Sequence, residues 1–327
     1  MKLPEAIELV MEAEAASIAR HDLVDRADRL GRYYRSPDAE RAPSFADPAI
    51  RAAYVVTRMP AIFQVNRLVL GELEPLQLDF ASVLDLGCGP GTATIAAQEV
   101  FGGLQKATLI DRDEGWFELG RRMISAVDPE LAAIAQFVKS AIERTDAFEE
   151  HDLVTASYAL GELPSSDARN LLKRAWEAAR IALAIVEPGT PRGFGTIVAA
   201  RDELIAAGAS IVAPCTHASA CPIASGDWCH FDTRVDRTSR HRSAKSGTLP
   251  YEVEKFSYIV AIKPPVALRT DVSRIIKHPL KRGGHVVLDL CTSEGTAERV
   301  VVSRRDKERY REARGAKWGD LWMAHDH

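Results

Sequence analysis

The chain is 327 residues long, room for about two domains at roughly 150 residues each. With 46% hydrophobic and 27% charged residues it is globular in composition, which excludes a chain that is disordered, collagen-like or coiled coil throughout. The formal net charge of −4 conceals an asymmetry: residues 230–285 hold twelve Lys and Arg against five Asp and Glu, so an acidic N-terminal two-thirds precedes a basic third of the kind that meets polyanionic partners.

Residues 1–78 read as a helical region. Ile7, Val10, Met11 and Ile18 recur at helical spacing, residues 49–73 continue the pattern, and Ser36-Pro37 and Ala42-Pro43 mark a connecting loop between them. The stretch after Met1 lacks the basic start and apolar core of a secretory signal, and no apolar run approaches the ~18 residues of a membrane span. A cytoplasmic location and no membrane partner are the expectations.

From Ala81 the pattern changes. Apolar, β-branched runs at 82–86, 106–111, 152–157 and 181–186, with a weaker one at 134–139, alternate with helical stretches at 92–101, 115–126 and 167–180. Such alternation builds a mostly parallel sheet covered on both faces. Residues 79–207 form this core. Runs at 256–262, 285–290 and 299–303 are expected to complete its sheet as antiparallel strands, within a C-terminal region 256–327 that ends in a basic tail. Residues 208–255 interrupt the rhythm as an insertion rich in Cys, His and Arg, with too few apolar residues to bury a core of its own.

The first strand runs into Asp85-Leu86-Gly87-Cys88-Gly89-Pro90-Gly91-Thr92 and then a helix. Glycines here let the backbone turn tightly and approach a ligand at the C-terminal edge of a parallel sheet. Thr92 stands where a dinucleotide fingerprint needs its third glycine, and no Gly-Lys-Ser/Thr follows for a phosphate loop. Asp85 would repel pyrophosphate but suits a ligand that is cationic and carries no phosphate. Asp111, at the end of the next strand, is placed to accept from ribose hydroxyls. The arrangement resembles class I methyltransferases and implies a Rossmann-like α/β fold binding S-adenosylmethionine (SAM). By that resemblance Asp85, Gly87, Gly89 and Gly91 line the methionine end, Asp111 holds the ribose, Ser140 and Ala141 lie near the adenine, and Tyr158 sits by the acceptor. The catalytic group is not identified: Ser157-Tyr158-Ala159-Leu160-Gly161-Glu162 departs from the Asn/Asp-Pro-Pro-Tyr/Phe signature of amino-methylating enzymes.

Four of the five cysteines fall in one setting: Cys215, Cys221 and Cys229 in Cys-x5-Cys-x7-Cys, and a remote Cys291. Clustered thiols in a segment poor in apolar residues are what a metal needs to staple an insertion to its domain. The spacing is wider than the two to four residues usual between zinc-binding cysteines. It suits a [4Fe–4S] cluster better, with zinc, including His217 or His230 as a ligand, as the alternative. After Phe231 come Arg234, Arg237, Arg240, Arg242 and Lys245, a dense positive run suited to RNA phosphates. His230, Phe231 and Tyr251 are available to stack on bases, and Arg274 with Lys277 to Arg282 makes a second basic patch.

Pro-Cys-x-His-x4-Cys-Pro from Pro214, Trp228-Cys229-His230-Phe231 and the run Tyr251 to Tyr258 occur in order. Together they resemble the small-ribosomal-subunit-associated methyltransferase-like family, over about residues 33–305. Its mitochondrial members are assembly factors for the small ribosomal subunit, linked to a [4Fe–4S] cluster held by four cysteines. The resemblance implies that Cys215, Cys221, Cys229 and Cys291 are the ligands and that small-subunit rRNA is the partner. Three readings of the activity follow: a SAM-dependent rRNA methyltransferase, a non-catalytic RNA-binding assembly factor, or a redox or iron sensor that binds RNA only when the cluster is intact. The oligomeric state has no signature in the sequence.

Overall fold

The computed structural model describes residues 3–35, 44–223, 226–245, 247–263 and 271–323. The loop expected around Ser36-Pro37 and Ala42-Pro43 lies outside them. The N-terminal region is helical: α1 (Glu5–Ala16), α2 (Arg20–Arg35), α3 (Pro48–Thr57) and α4 (Met59–Gly71). The periodic run at 49–73 divides at Arg58 because Pro60 falls in the first turn of α4, where its missing N–H is not needed.

The core follows as β1 (Ser82–Leu86), α5 (Thr92–Phe101), β2 (Lys106–Asp111), α6 (Phe117–Val127), α7 (Pro129–Ile134), β3 (Ala135–Lys139), β4 (His151–Ser157), α8 (Ser165–Ala178), β5 (Ala179–Pro188) and α9 (Pro191–Ala206). Then come β6 (Ser210–Ala213), β7 (Phe231–Asp236), α10 (Ser239–Ala244) and β8 (Tyr251–Ile262). The main sheet runs β3-β2-β1-β4-β5-β8-β6, with β7 also paired to β8. Strands β1 to β5 are parallel; β8 is antiparallel to β5, β6 and β7. Successive strand residues face opposite layers, as the two-residue period requires. Val83, Leu153 and Ala182 pack under Phe63, Ile95 and Met123 from α4, α5 and α6. Leu84, Val154 and Leu183 pack under Leu171 and Leu204 from α8 and α9. Burial on both faces is why these strands read as unbroken apolar runs.

The last part departs from expectation. The run at 256–262 lies within β8 and joins the main sheet, but 285–290 and 299–303 do not. They fall in β11 (His285–Cys291) and β12 (Ala297–Ser303), which build a second sheet with β9 (Val272–Ile275), β10 (Leu280–Lys281) and β13 (Leu321–Met323). The physical reason is one-sided burial. Val286, Leu288 and Leu290 alternate inward onto Ala313 of α11 (Lys307–Gly315) and Trp322 of β13, leaving the other face to water, as antiparallel sheets commonly do.

Strand β8 organises the expected insertion. β6 pairs with its C-terminal end, up to Ala213 opposite Val260, while β7 pairs with its N-terminal half, from Phe231 opposite Phe256. The chain between Ala213 and Phe231 therefore leaves and rejoins one side of one strand at points about 13 Å apart, four residues at ~3.3 Å each. Cys215 and Cys229, each two residues from a strand end, are held at the same sheet edge.

Candidate functional site

The glycine loop leaves β1 at the C-terminal edge of the parallel strands. Gly87, Gly89 and Gly91 have φ of 73°, 51° and 79°, the left-handed region that glycine enters without penalty. The Gly87 and Cys88 N–H groups donate to Ile110 O at 2.9 and 3.0 Å, which binds the loop to the end of β2. Gly89 N–H donates to Asp111 Oδ2 at 2.9 Å, and Ser140 N–H donates to Asp111 O at 3.0 Å. Asp111, Ser140 and Ala141 thus stand beside the loop at the ends of neighbouring strands. Burial raises the Asp111 carboxyl above its ordinary range, against the pull of the Asp113 and Gly89 N–H groups.

Asp85 points inward. Its Oδ2 accepts from Thr94 N–H at 3.2 Å and Thr94 Oγ1 at 2.9 Å, and Oδ1 accepts from Thr155 Oγ1 at 3.1 Å. Burial pushes the carboxyl up to about 6 despite these donors. In this arrangement Asp85 holds loop, helix and β4 together rather than facing a ligand. Cys88 is buried among the core residues.

Tyr158 follows β4 with φ of 58°, a region bulky residues rarely occupy. Its N–H donates to Val186 O at 2.7 Å and its hydroxyl lies 3.5 Å from Glu254 Oε1. Arg58 Nη2 is 3.7 Å from the same Glu254 oxygen, and the guanidinium carbon lies 5.0 Å from the centre of the Tyr34 ring. Glu187, at the end of β5, accepts from Gly161 N–H at 3.0 Å; burial pushes its carboxyl up to about 7. Motif reading missed Arg58, Glu187 and Glu254 because their partners lie 26 to 196 positions away in the chain.

The four cysteines line one cavity between the main sheet and the second sheet, with Phe194, Ile259, Ile276 and Arg201 in its wall. Burial holds the Cys215, Cys229 and Cys291 thiols above their ordinary range, Cys291 to about 12. His217 Nε2 is 3.3 Å from Cys291 Sγ. Among the described residues no group of three or more His, Cys, Asp or Glu is arranged to hold a metal ion. The donor set is nevertheless fit for soft metal chemistry: four sulfurs, apolar walls and no carboxylate.

Most of the basic run is paired within the fold. Arg237 Nη2 and Lys245 Nζ are 2.9 and 2.7 Å from Glu252 Oε2, and His241 Nε2 is 3.4 Å from Oε1. Burial opposes ionisation of Glu252, yet His241, Lys245 and Arg237 outweigh it and hold the carboxyl far below its ordinary range. Arg240 pairs with Glu12 at 2.5 Å and Arg242 donates to Arg237 O at 3.0 Å. Arg234 is exposed, with its guanidinium carbon 3.7 Å from the centre of the Tyr251 ring. Much of the expected positive face is thus folded inward against acids. In the second patch Arg274 is buried against Glu72 at 2.9 and 3.1 Å, Lys277 pairs with Asp227 and His278 with Asp232.

Five parallel strands in the order 3-2-1-4-5, an antiparallel strand beside the fifth, and a glycine loop after the first with an acid at the end of the second define a class I methyltransferase-like protein. The family described as "Mitochondrial small ribosomal subunit Rsm22" matches residues 48–323, and the chain belongs to it. Among curated relatives, the Rsm22-cox11 tandem protein 2, mitochondrial, of Schizosaccharomyces pombe is 26% identical over 86% of this chain and 44% of its own length. The human ribosome assembly protein METTL17, mitochondrial, is 26% identical over 73% of this chain and 55% of its own length. The chain spans about half the length of these relatives. Similar solved structures include magnesium protoporphyrin IX methyltransferase from Synechocystis PCC 6803 with bound SAM, 14% identical over 72% of this chain and 90% of that chain, TM-score 0.40. Another is an O-methyltransferase family protein from Burkholderia thailandensis, 19% identical over 57% of this chain and 64% of that chain, TM-score 0.42. The cytoplasmic expectation is corrected: the relatives are mitochondrial by name, which points away from that compartment. Among the described residues no helix is long and apolar enough to cross a membrane.

Proposed function

We propose that the chain is a methyltransferase-like assembly factor of the small ribosomal subunit that binds SAM at its glycine loop. Family membership over residues 48–323 carries the ribosomal part of this reading. The loop supports the cofactor part. Its three glycines turn the backbone toward the strand ends, Asp85 braces it from below, and Asp111 with Ser140 and Ala141 offers acceptors and donors for ribose and adenine. SAM supplies an activated methyl group when bound. Gly89 leaves space for its approach, Asp111 orients it, and Tyr158 with Arg58 and Glu254 closes the acceptor side against water. Methyl transfer needs alignment more than proton chemistry, so the protonated tendency of Glu187 is no obstacle to it.

The thiol cavity is read as the seat of a metal centre held by Cys215, Cys221, Cys229 and Cys291. Zinc draws all four sulfurs to about 2.3 Å of one ion, whereas in a [4Fe–4S] cluster each cysteine binds its own iron. Four cysteines around one cavity, spaced along the chain more widely than zinc-binding pairs usually are, support the cluster. The centre clamps the 214–230 segment to the second sheet, and exposed Arg234 beside Tyr251 offers an RNA contact at its edge. The deciding experiment supplies radiolabelled SAM and isolated small ribosomal subunits. Label in rRNA establishes a methyltransferase; SAM binding and subunit binding without label establishes an assembly factor; failure to bind either overturns the proposal.

A further inference from the structure

Arg201 lies on α9, 2% exposed, in the wall of the thiol cavity. Its Nη2 donates to the carbonyls of His217 and Ser219 at 2.9 and 2.6 Å and lies 3.5 Å from His217 Nδ1. Nη1 is 3.1 Å from Asp202, a carboxylate that is 60% exposed and screened by water. Buried Nε has no hydrogen-bond partner among the described residues.

A guanidinium stays charged at any pH a protein survives, and a buried charge is costly without a buried counter-charge. The other arginine acting on these thiols shows the usual remedy. Arg274 meets both oxygens of Glu72 and the carbonyls of Pro214 and Gly319. Arg201 has no such acid on the cavity side. It shares the cavity wall instead with Cys215, Cys221, Cys229 and Cys291. Loading the cavity removes four protons from four thiols to solvent. Four thiolates around a zinc ion or a cluster core of charge 2+ leave a centre with formal charge of about −2.

We propose that Arg201 is the positioning residue of the metal–thiolate centre: its guanidinium is the fixed counter-charge of an anionic four-cysteine site. The assignment rests on the metal reading given above. It also explains why an arginine, rather than another apolar residue, completes an otherwise oily cavity wall.

The test uses the full chain purified without oxygen, as wild type, Arg201→Met, Arg201→Lys and Cys215→Ala. Iron, sulfide and zinc are measured per chain, then loss of the centre to EDTA, then urea unfolding of the stripped proteins. Arg201→Met should lose its centre to chelator about 10–100-fold more readily than wild type, the range for second-sphere partners of metal ligands. Arg201→Lys, which keeps the charge but not the fork, should fall between them. Stripped Arg201→Met should unfold at the same urea concentration as stripped wild type or a higher one, since a poorly compensated buried charge is gone. A centre lost in Cys215→Ala but held by Arg201→Met at the wild-type rate overturns this assignment alone. So does a stripped Arg201→Met chain less stable than stripped wild type, which would make Arg201 a packing residue. A wild-type chain holding neither iron nor zinc overturns the metal reading and the assignment with it.

Discussion

Gly89 and Gly91 stand two residues apart in the same loop, both with positive φ, yet alanine should affect them differently. At Gly89 an added Cβ meets nothing within 4 Å, so the folded state bears only the left-handed penalty of about 1–2 kcal/mol. At Gly91 the Cβ falls 3.0 Å from Leu109 Cδ2 and 3.2 Å from Ile124 Cδ1. Both neighbours are core residues, and overpacking adds about 1–3 kcal/mol. Urea unfolding followed by tryptophan fluorescence should therefore place Gly91→Ala well below Gly89→Ala, and Gly89→Ala modestly below wild type. Calorimetric titration with SAM should show the reverse emphasis. On the proposed SAM reading the cofactor approaches the backbone through the open space at Gly89, so Gly89→Ala should weaken SAM by ~10-fold or more, about 1.4 kcal/mol, while remaining folded. Equal loss of stability in the two variants, or wild-type SAM affinity in Gly89→Ala, would refute the reasoning.

Other consequences are as direct. Glu72→Ala strips the buried Arg274 of its acid and should cost about 3–5 kcal/mol in urea unfolding, whereas Lys277→Ala, which breaks a half-exposed pair with Asp227, should cost under about 1 kcal/mol. The folded Glu187 carboxyl is raised to about 7, so its contribution is fully present below the unfolded value near 4.5 and is lost as pH rises through 7. Glu187→Gln should therefore gain on wild type by up to about 3 kcal/mol at pH 8 and little at pH 4; parallel pH–stability curves would contradict the burial argument. Glu252 has the opposite sign. Its folded carboxyl is depressed, so its stabilisation is present above about 4.5 and lost as pH falls further. Glu252→Gln should lose stability at pH 7, by leaving Arg237, Lys245 and His241 without their acid, and should flatten the acid limb of the unfolding curve.

Local pattern carried the parallel core. Runs such as 82–86 and 106–111 are buried on both faces and bounded by turn residues, and they begin and end in the structure where the sequence places them. The glycine loop was equally legible, because positive φ leaves a residue-type signature. Asp85 was legible as important but not in its orientation: which way a carboxylate turns depends on Thr94 and Thr155, and Thr155 lies seventy residues on. The second sheet was hidden because alternating strands such as 285–291 look alike whether they extend a sheet or start one; the choice rests with α11 and Trp322. The partners of the basic run were hidden for a related reason. Glu252 lies opposite Val235 across the β7–β8 ladder and gathers Arg237, Lys245 and the buried His241, side chains that reading along the chain places in solvent. Arg201 carried no signal at all, since either of the two arginines in a sixteen-residue helix reads as part of its polar face.

Association with the small ribosomal subunit is measured most directly by sedimenting a lysate from cells producing the tagged chain through a sucrose gradient and assaying the small-subunit, large-subunit and free-protein fractions by immunoblot. The chain should migrate with the small subunit, and Cys229→Ala should shift it toward free protein as the clamp on the 214–230 segment is lost. A wild-type chain confined to the free-protein fractions, with intact small subunits present in the same gradient, would contradict the account.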